Sequence, residues 1–303
     1  RIYYNVAEVD ASTGVTWAAG LPDADSDGND VMDAVDTMAQ AFESAYASYV
    51  AMGYAVDAPD GMLVLVGVDD RENPGVTLPT GLTVAGTAPL VALPSNPRDQ
   101  DYLPRHELFH AFQYHYMSIG RLIAQLGSLN WWMEATAEWA TRQSYLRDPT
   151  AVAQYPNQSK LYAQAINEYL GDPGGALNAW GGLSFGPQYG AFPLAVFLTD
   201  CLGDEQAVLH TWEKIEELLP VEAITQVIAD NGLAPKGTLS VFALYNYTLR
   251  DGYTDPDDGD RDQPARDQAE RHGDQVIDAG HRAAERQHGR HRDRLGEPDR
   301  EAE

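Results

Sequence analysis

The chain of 303 residues is poor in cysteine, in positive charge and in long apolar runs. Its one cysteine, Cys201, excludes an internal disulfide, and we expect its side chain to be buried in an apolar helix. Lys and Arg number 20 against 46 Asp and Glu, which gives a formal net charge of -26. So acidic a chain repels nucleic acid and anionic membranes, which argues against both as partners. No apolar run is long enough to span a bilayer.

The composition changes abruptly at residue 255. Residues 255–303 contain 15 acids, 9 Arg and four of the eight histidines, and they contain no aromatic residue. Too few large apolar groups are present to offset the entropy of ordering, so we predict a disordered, charged tail. Out-of-frame translation of a GC-rich gene is an alternative origin for this composition. Residues 1–254 are predicted to form the folded domain, because the apolar fraction is sufficient for a core.

The most informative stretch is Arg105–Gln113, which contains an HExxH pattern in an apolar, helix-compatible run. Residues four apart share a helix face, so His106 and His110 can direct two imidazoles at one metal ion. Glu107 lies beside them, where it can take a proton from an attacking water as the general base of a zinc peptidase does. The alternative is an amphipathic helix that carries two surface histidines.

A catalytic zinc site needs a third protein ligand and one open position. The metzincin pattern takes a histidine six residues after the second, but Tyr116 stands there and excludes that class. Trp131–Trp139 offers a glutamate instead. We expect the intervening connection to form a loop that turns a second helix back against the first. The residues that indicate a loop are Gly120, Gly127, Ser128 and Asn130.

Glu134 and Glu138 are four residues apart and share a face of this second helix. We predict that Glu134 binds the metal and that Glu138 accepts a hydrogen bond from a ligating imidazole, which fixes the tautomer of that imidazole. The reverse assignment of the two glutamates is one alternative, and two solvated glutamates are another. The flanking residues Trp131, Trp132 and Trp139 are not typical of a solvated face.

HELFH followed by WWMEATAEW resembles the gluzincin zinc metallopeptidases, the thermolysin and aminopeptidase type, in which a glutamate of a W-x-x-E-x-x-A element completes HExxH. The closest likeness is to secreted bacterial metalloproteases with a preceding acidic D-x-D-x-N/D stretch, and it covers about residues 1–250. The resemblance implies zinc on His106, His110 and Glu134, with Glu107 as base. Ala135 stands where many relatives have Gly.

The resemblance also implies a fold, a location and a substrate class. The fold would be α+β and zincin-like, with a small N-terminal mixed sheet and a long helix (about 1–120), a mainly helical half (about 121–254) and the metal cleft between them. The protein would be secreted and would act on peptides or proteins. The chain opens at Arg1 with no initiating Met or signal peptide, so we expect that a leader is missing. Leu90–Leu93 is our candidate for the edge strand that pairs with extended substrate.

An acidic stretch, Asp23–Asp36, precedes the first long helix. Calcium takes six to eight oxygen ligands, and acidic side chains at loop positions 1, 3, 5, 9 and 12 can wrap around one ion. The register we prefer begins at Asp25 and consists of Asp25, Asp27, Asn29, Asp33 and Asp36. A register from Asp23 puts Gly28 at the sharp turn but Ala34 at position 12. An Asp-rich turn that caps the helix is the other alternative.

The remaining elements follow from apolar spacing and from Gly and Pro punctuation. We predict strands over 2–9 and 62–68, and one or two short strands with turns between Asn73 and Pro94. We also predict a helix from about Asp30 to Met52 and helices over 158–170, 188–202, 205–219, 221–231 and 239–250. The oxyanion formed during peptide attack needs a hydrogen-bond donor from the helical half. Tyr189 is the first candidate because it resembles a Tyr-Gly element of the relatives, and His210 is the second.

Gly182–Gly186 matches G-x-S-x-G, and Asp200 and His210 follow it in the order of an α/β-hydrolase. No β-branched strand precedes Ser184, and only 26 residues separate it from His210, which disfavours a serine hydrolase. We therefore predict zinc-dependent peptide-bond hydrolysis, with Zn²⁺ and Ca²⁺ as cofactors. The alternatives are a catalytically inactive zinc-binding recognition module and a calcium-dependent surface-binding protein in which HELFH is incidental.

Overall fold

The computed structural model describes residues 2–4, 24–57, 61–66, 75–79, 89–93, 101–154, 177–178 and 187–249. The strands in these ranges are β1 (Ile2–Tyr4), β2 (Leu63–Val66), β3 (Val76–Leu78) and β4 (Leu90–Leu93). The helices are α1 (Asp33–Ala51), α2 (Tyr102–Gln113), α3 (Ile119–Arg147), α4 (Pro149–Gln154), α5 (Pro187–Gly190), α6 (Phe192–Leu202), α7 (Ala207–Trp212), α8 (Pro220–Asp230) and α9 (Pro235–Leu249). An α-rich α+β architecture with a small mixed sheet is thus confirmed. The tail from 255 and the helix predicted over 158–170 lie outside the described residues.

The four strands form one mixed sheet in the order β1-β2-β4-β3. β1, β2 and β4 are parallel to one another, and β3 is antiparallel to β4. Leu90–Leu93, our candidate for the edge strand, is therefore inside the sheet, and that prediction is wrong. Its four apolar residues suit a strand with neighbours on both sides, whereas Val76 of β3 is 40% exposed. The edge strands in the described part of the sheet are β1 and β3, and of these two β3 is the one that contacts α2.

α1 connects the two hydrophobic cores of the described residues. Near its start Met38 packs with the sheet residues, and near its end Tyr49 packs with α2 and α3. We predicted that this helix begins at about Asp30, but it begins at Asp33. Asp30 has a φ of 65° and cannot belong to a right-handed helix. Gly53, with a φ of 91°, ends the helix as predicted.

α2 lies between the edge strand, α1 and α3, and Leu103–Gln113 are buried along its whole length. α3 runs antiparallel to α2. Gln113, the last residue of α2, hydrogen-bonds to Met133 in the middle of α3, whereas Arg105, near the start of α2, hydrogen-bonds to Ser144 near the end of α3. α3 has 29 residues and is about 43 Å long. The metal ligands that the sequence predicted therefore lie on two consecutive helices.

The loop predicted around Gly120 and Gly127 is wrong, because both glycines are inside α3. The chain reverses earlier, through a single 3₁₀ turn (Tyr114–Tyr116), and the hydroxyl of Ser118 caps α3 by accepting the Arg121 N–H at 3.1 Å. A glycine costs a helix about 1 kcal/mol relative to alanine. Burial of apolar side chains on the same helix offsets this cost, so local propensity does not decide the outcome.

A buried arginine ties α1, α2 and the end of α3 together. Arg105 is 1% exposed, and its Nη2 lies 3.2 Å from Asp101 and 3.4 Å from Asp148. Its guanidinium carbon lies 4.5 Å from the centroid of the Tyr145 ring, and its backbone carbonyl accepts from the Tyr49 hydroxyl of α1 at 2.8 Å. The two carboxylates offset the desolvation of the cation, and the contacts fix the position of α2 against its neighbours.

The helical half packs on the tryptophan-rich segment of α3. Trp132 Nε1 donates to Thr211 at 3.0 Å, and Trp212 Nε1 donates to Thr136 at 3.2 Å. No helix in the described part of the chain combines the length and apolarity needed to cross a bilayer. This half therefore supports the segment that carries Glu134.

The helix bounds in this half differ from the predicted ones in three places. The segment predicted over 188–202 is two helices, α5 and α6, because Pro193 lies in the first turn of α6 and cannot donate into a continuous helix. The helix predicted over 205–219 is only α7, because the next residues form turns and the Ile215 carbonyl accepts from Arg121 instead. The helix predicted over 239–250 is α9, which begins four residues earlier, at Pro235. α8 lies within one residue of the prediction, and both α8 and α9 begin at prolines, which suit the first helical position.

Candidate metal centre

Three side chains on α2 and α3 point ligand atoms at one position. His106 and His110 are one turn apart on α2, and Glu134 faces them from α3. Glu134 Oε2 lies 3.1 Å from His106 Nε2 and 3.6 Å from His110 Nε2. All three ligand atoms lie within 4.8 Å of one another, and in the described part of the chain this is the group of His, Cys, Asp and Glu side chains that meets that spacing.

The donor set and its spacing fit a divalent transition metal. Metal bonds of 2.0–2.1 Å in a tetrahedron place neighbouring ligand atoms roughly 3.3 Å apart. The two observed separations, 3.1 and 3.6 Å, lie on either side of that value. Two imidazole nitrogens and one carboxylate oxygen also leave a tetrahedral position open. A buried His-His-Glu group able to hold a metal ion is therefore present.

Glu138 lies behind His106, on the side away from Glu134. Its Oε1 is 3.2 Å from His106 Nδ1, and its Oε2 accepts a hydrogen bond from the Tyr102 hydroxyl. The side chain of Glu138 is 1% exposed. The Nδ1–Oε1 contact lies outside hydrogen-bond geometry, so the hydrogen bond that we predicted from His106 to Glu138 stays a prediction. The two glutamates thus occupy different positions, one among the ligand atoms and one behind a ligand.

Gln113 occupies the equivalent position behind His110, and no motif in the sequence pointed to it. Its Oε1 lies 2.7 Å from His110 Nδ1, and its Nε2 donates to the Met133 carbonyl at 2.8 Å and to Thr136 Oγ1 at 2.9 Å. Gln113 is completely buried. The available signal was its place three residues after His110, which puts both side chains on one helix face.

The electrostatics of the group couple the histidines to the glutamates. Burial alone would lower the pKa of His106 and His110, but the nearby carboxylates together outweigh it and raise both pKa values. These are Glu134 and Glu138 at His106, and Glu134 and Glu107 at His110. Burial would raise the pKa of Glu134, but the two histidines outweigh it and hold that pKa well below its usual range. Glu134 is therefore ionised and ready to act as a ligand.

The side chain of Glu107 contacts the edge strand β3. Its Oε2 accepts from the Thr77 hydroxyl at 2.8 Å, and the carboxyl is buried. Burial raises its pKa, although the nearby histidines and the Thr77 hydroxyl act in the opposite direction. A carboxyl whose pKa is raised toward neutrality is well suited to accept and return a proton.

Two residues around Glu107 were not identified from the sequence. Thr77 holds the carboxyl, and Gly75 leaves room for it, because a Cβ at Gly75 would lie 2.7 Å from Glu107 Oε1. Both come from a stretch in which the sequence indicated only short strands and turns. Which strand faces a helix depends on pairing and register across the sheet, which the local pattern does not encode.

Tyr189, the first of the two predicted oxyanion donors, lies at this centre. Its ring centroid is 5.9 Å from that of His106. Burial, followed by the charges of the surrounding glutamates, raises its pKa far above the ordinary value, so the phenol keeps its proton. His210 pairs instead with Asp204, through a distance of 3.1 Å from Nδ1 to Oδ2.

The predicted calcium loop forms a compact turn. The Asp25 carboxylate accepts the backbone N–H groups of Gly28, Asn29 and Asp30 at 2.8, 3.2 and 3.1 Å. Asp30, at position 6 of the register we prefer, has the left-handed conformation that this position requires.

The other predicted calcium ligands of that register also form hydrogen bonds within the loop. Asp33 accepts from Ser26, and the Asn29 amide donates to Asp27 and Asp36. Among the described residues the carboxylates do not converge into a group of three ligand atoms. Calcium at this loop stays a prediction, and Asp23 of the other register lies outside the described residues.

Comparison with protein-family models, with curated proteins and with solved structures found no match. The resemblance to the gluzincins therefore rests on HELFH and WWMEATAEW alone and stays a prediction. The G-x-S-x-G stretch Gly182–Gly186 and the side chains of Asp200 and Cys201 lie outside the described residues.

Proposed function

We propose that this protein is a zinc-dependent peptidase. The observation that carries the proposal is the convergence of His106 Nε2, His110 Nε2 and Glu134 Oε2, together with a buried carboxyl, Glu107, next in sequence to the first of these ligands. Structural zinc sites usually have four protein ligands, whereas catalytic sites have three and an open position. Two imidazoles and one carboxylate form the donor set typical of hydrolytic zinc centres.

His106, His110 and Glu134 would hold the metal in this proposal. Bound zinc supplies a Lewis acid that polarises the peptide carbonyl and lowers the pKa of water. Glu138 and Gln113 keep the two imidazoles oriented, because each faces an Nδ1 atom at 3.2 and 2.7 Å respectively. Orientation by such partners maintains metal affinity.

Glu107 is the general base. It takes a proton from the attacking water as the C–O bond forms, and it returns that proton to the leaving amine when the C–N bond breaks. The Thr77 hydroxyl holds the carboxylate during this exchange, and burial keeps its pKa raised. Tyr189, which keeps its phenolic proton, donates to the oxyanion that develops on the carbonyl oxygen.

The substrate is an extended peptide or protein segment that adds to β3. In the described part of the sheet, β3 pairs with β4 on one side and has no strand on the other. An extended peptide can form main-chain hydrogen bonds with such an edge. Thr77 of β3 contacts Glu107, so a peptide on this edge would lie next to the base.

The test compares the wild type with Glu107→Gln, which has the same shape but cannot accept a proton in the same way. We expect stoichiometric zinc in both proteins, cleavage of a mixed peptide library by the wild type, and a rate at least about 10²-fold lower in the variant. Zinc is measured by elemental analysis and cleavage by mass spectrometry. Equal cleavage by both proteins, or no zinc in either, would contradict the proposal.

A further inference from the structure

We propose that Gln113 is a positioning residue that holds His110 in the tautomer whose Nε2 lone pair faces the metal, and that a one-way chain of hydrogen bonds through Thr136 fixes its orientation. This inference rests on the proposed metal site. It assigns a role in metal binding to Gln113 and Thr136, neither of which the sequence predicted as a metal ligand or as the general base.

The orientation of the Gln113 amide is determined by its partners. Its Nε2 lies 2.8 Å from the Met133 carbonyl oxygen, which can only accept a hydrogen bond. The amide therefore cannot be flipped, because a flip would bring two acceptor oxygens together. Oε1 must face His110 Nδ1, at 2.7 Å, and it can only accept. His110 must then carry its proton on Nδ1, which leaves the Nε2 lone pair for a metal.

Thr136 determines the same direction from the other end of the chain. Its hydroxyl donates its one proton to the Trp132 carbonyl at 2.7 Å, so its lone pairs accept from Gln113 Nε2 at 2.9 Å and from Trp212 Nε1 at 3.2 Å. The indole N–H can only donate, and the carbonyl can only accept. Every hydrogen bond in the chain therefore has one possible direction.

These hydrogen bonds are buried, so the loss of one partner is costly. Gln113 and Thr136 are both 0% exposed, so water cannot replace a missing partner without a rearrangement. Truncation of Gln113 removes the acceptor of His110 Nδ1, and the ring then loses the preference for the tautomer that can bind metal. Loss of such a partner typically lowers metal affinity 10- to 100-fold.

The experiment measures zinc affinity in the full-length chain by competition with a chromophoric chelator. We expect Gln113→Met to bind zinc about 10- to 100-fold more weakly than the wild type. Thr136→Val should weaken binding in the same direction, and Thr136→Ser, which keeps the hydroxyl, should restore it. Because both residues act through one chain, the double variant should lose less than the product of the two single losses.

Thr211→Val is the matched control. Thr211 is also 0% exposed, its hydroxyl also accepts from a tryptophan Nε1, at 3.0 Å, and it also donates to a carbonyl, at 2.7 Å. Its hydrogen bonds lead to Trp132 and Val208 and not to His110. We expect this variant to lose stability and to keep the zinc affinity of the wild type.

The visible spectrum of the Co²⁺-substituted protein gives a readout that a purely structural role would not change. We expect the d–d bands to shift in Gln113→Met and Thr136→Val and to stay unchanged in Thr211→Val. Equal zinc affinity and identical Co²⁺ spectra in wild type, Gln113→Met and Thr136→Val would overturn the inference. If Gln113→Met does not fold, the comparison of Thr136→Val with Thr136→Ser still tests the inference. A wild type without zinc would instead overturn the proposed function.

Discussion

Thr77 stabilises the charged form of Glu107, because its hydroxyl donates to the buried carboxylate at 2.8 Å. Hydrogen bonds to charged groups are worth about 1.5–3 kcal/mol. We expect Thr77→Val, which keeps the shape but removes the donor, to lower kcat/KM roughly tenfold or more while bound zinc stays unchanged. Thr77→Ser is the control and should retain most of the activity. Unchanged kcat/KM in Thr77→Val would contradict the role of this hydroxyl.

Gly75 sets how closely β3 approaches the base. An added Cβ would lie 2.7 Å from Glu107 Oε1 and 3.0 Å from its Cγ, too close for either atom to stay in place. We expect Gly75→Ala to displace the carboxyl and to reduce peptide cleavage strongly, with zinc still bound. The assay is kcat/KM on a library-derived peptide together with zinc content. Full activity in Gly75→Ala would show that Glu107 does not need its present position.

At the scale of single elements, α3 carries a glycine that its packing does not require. Nothing lies within 4 Å of a Cβ added at Gly127, and the residue is exposed in the interior of the helix. We expect Gly127→Ala to stabilise the fold by about 0.5–1 kcal/mol, because it reduces the freedom of the unfolded chain. Urea unfolding measures this. The variant also serves as the glycine control for Gly75→Ala, and a loss of activity would contradict the account of α3.

The contact between Arg105 and Asp148 makes the packing of α1, α2 and α3 sensitive to acid. Burial would raise the pKa of Asp148, but hydrogen bonds from Ser44 and the Ala151 N–H, together with Arg105, outweigh it and lower that pKa. Because the folded pKa lies below the unfolded one, this stabilisation is complete above the unfolded pKa of about 3.9 and is lost as the pH falls through the folded pKa.

We therefore expect Asp148→Asn to be less stable than the wild type at pH 7 and to lose less stability on acidification to about pH 3, below the unfolded pKa. Urea unfolding at the two pH values measures the difference. An identical loss of stability in both proteins would show that Asp148 is not a source of the acid sensitivity. Leu146→Ala, at an exposed neighbouring position, is a control that should show the acid dependence of the wild type.

The elements differ in how far the sequence determines them. Helix periodicity, which is local and can be read from spacing, places His106 and His110 on one face of α2 and Glu134 and Glu138 on one face of α3. The contact of Thr77 with Glu107 depends on the strand order β1-β2-β4-β3, which no local pattern encodes. Gly127 was misleading because glycine favours a loop locally, whereas the buried apolar residues of α3 decide in favour of a helix. Gln113 was missed because it belongs to no motif.

At the scale of the whole molecule, the charged tail should be dispensable. Residues 256–303 have too few apolar groups to contribute to a core. We expect deletion of these residues to leave Tm, zinc content and kcat/KM unchanged. Thermal unfolding and peptide cleavage by both forms measure this. Loss of folded, active protein on truncation would contradict the domain boundary that we predict near residue 254.

The two halves of the centre come from parts of the chain that are joined very differently. The ligands and the residues behind them all lie in two helices that are consecutive in the chain, α2 and α3, between Tyr102 and Glu138. The surroundings of Glu107 require β3, which belongs to a four-stranded sheet whose parallel strands β1 and β2 pair residues as far apart in the sequence as Ile2 and Val64. Helices form from local contacts, whereas long-range strand pairing must first overcome more loop entropy. During refolding, the chain should therefore gain metal affinity before it gains the proposed activity, and formation of the sheet should set the time at which that activity appears.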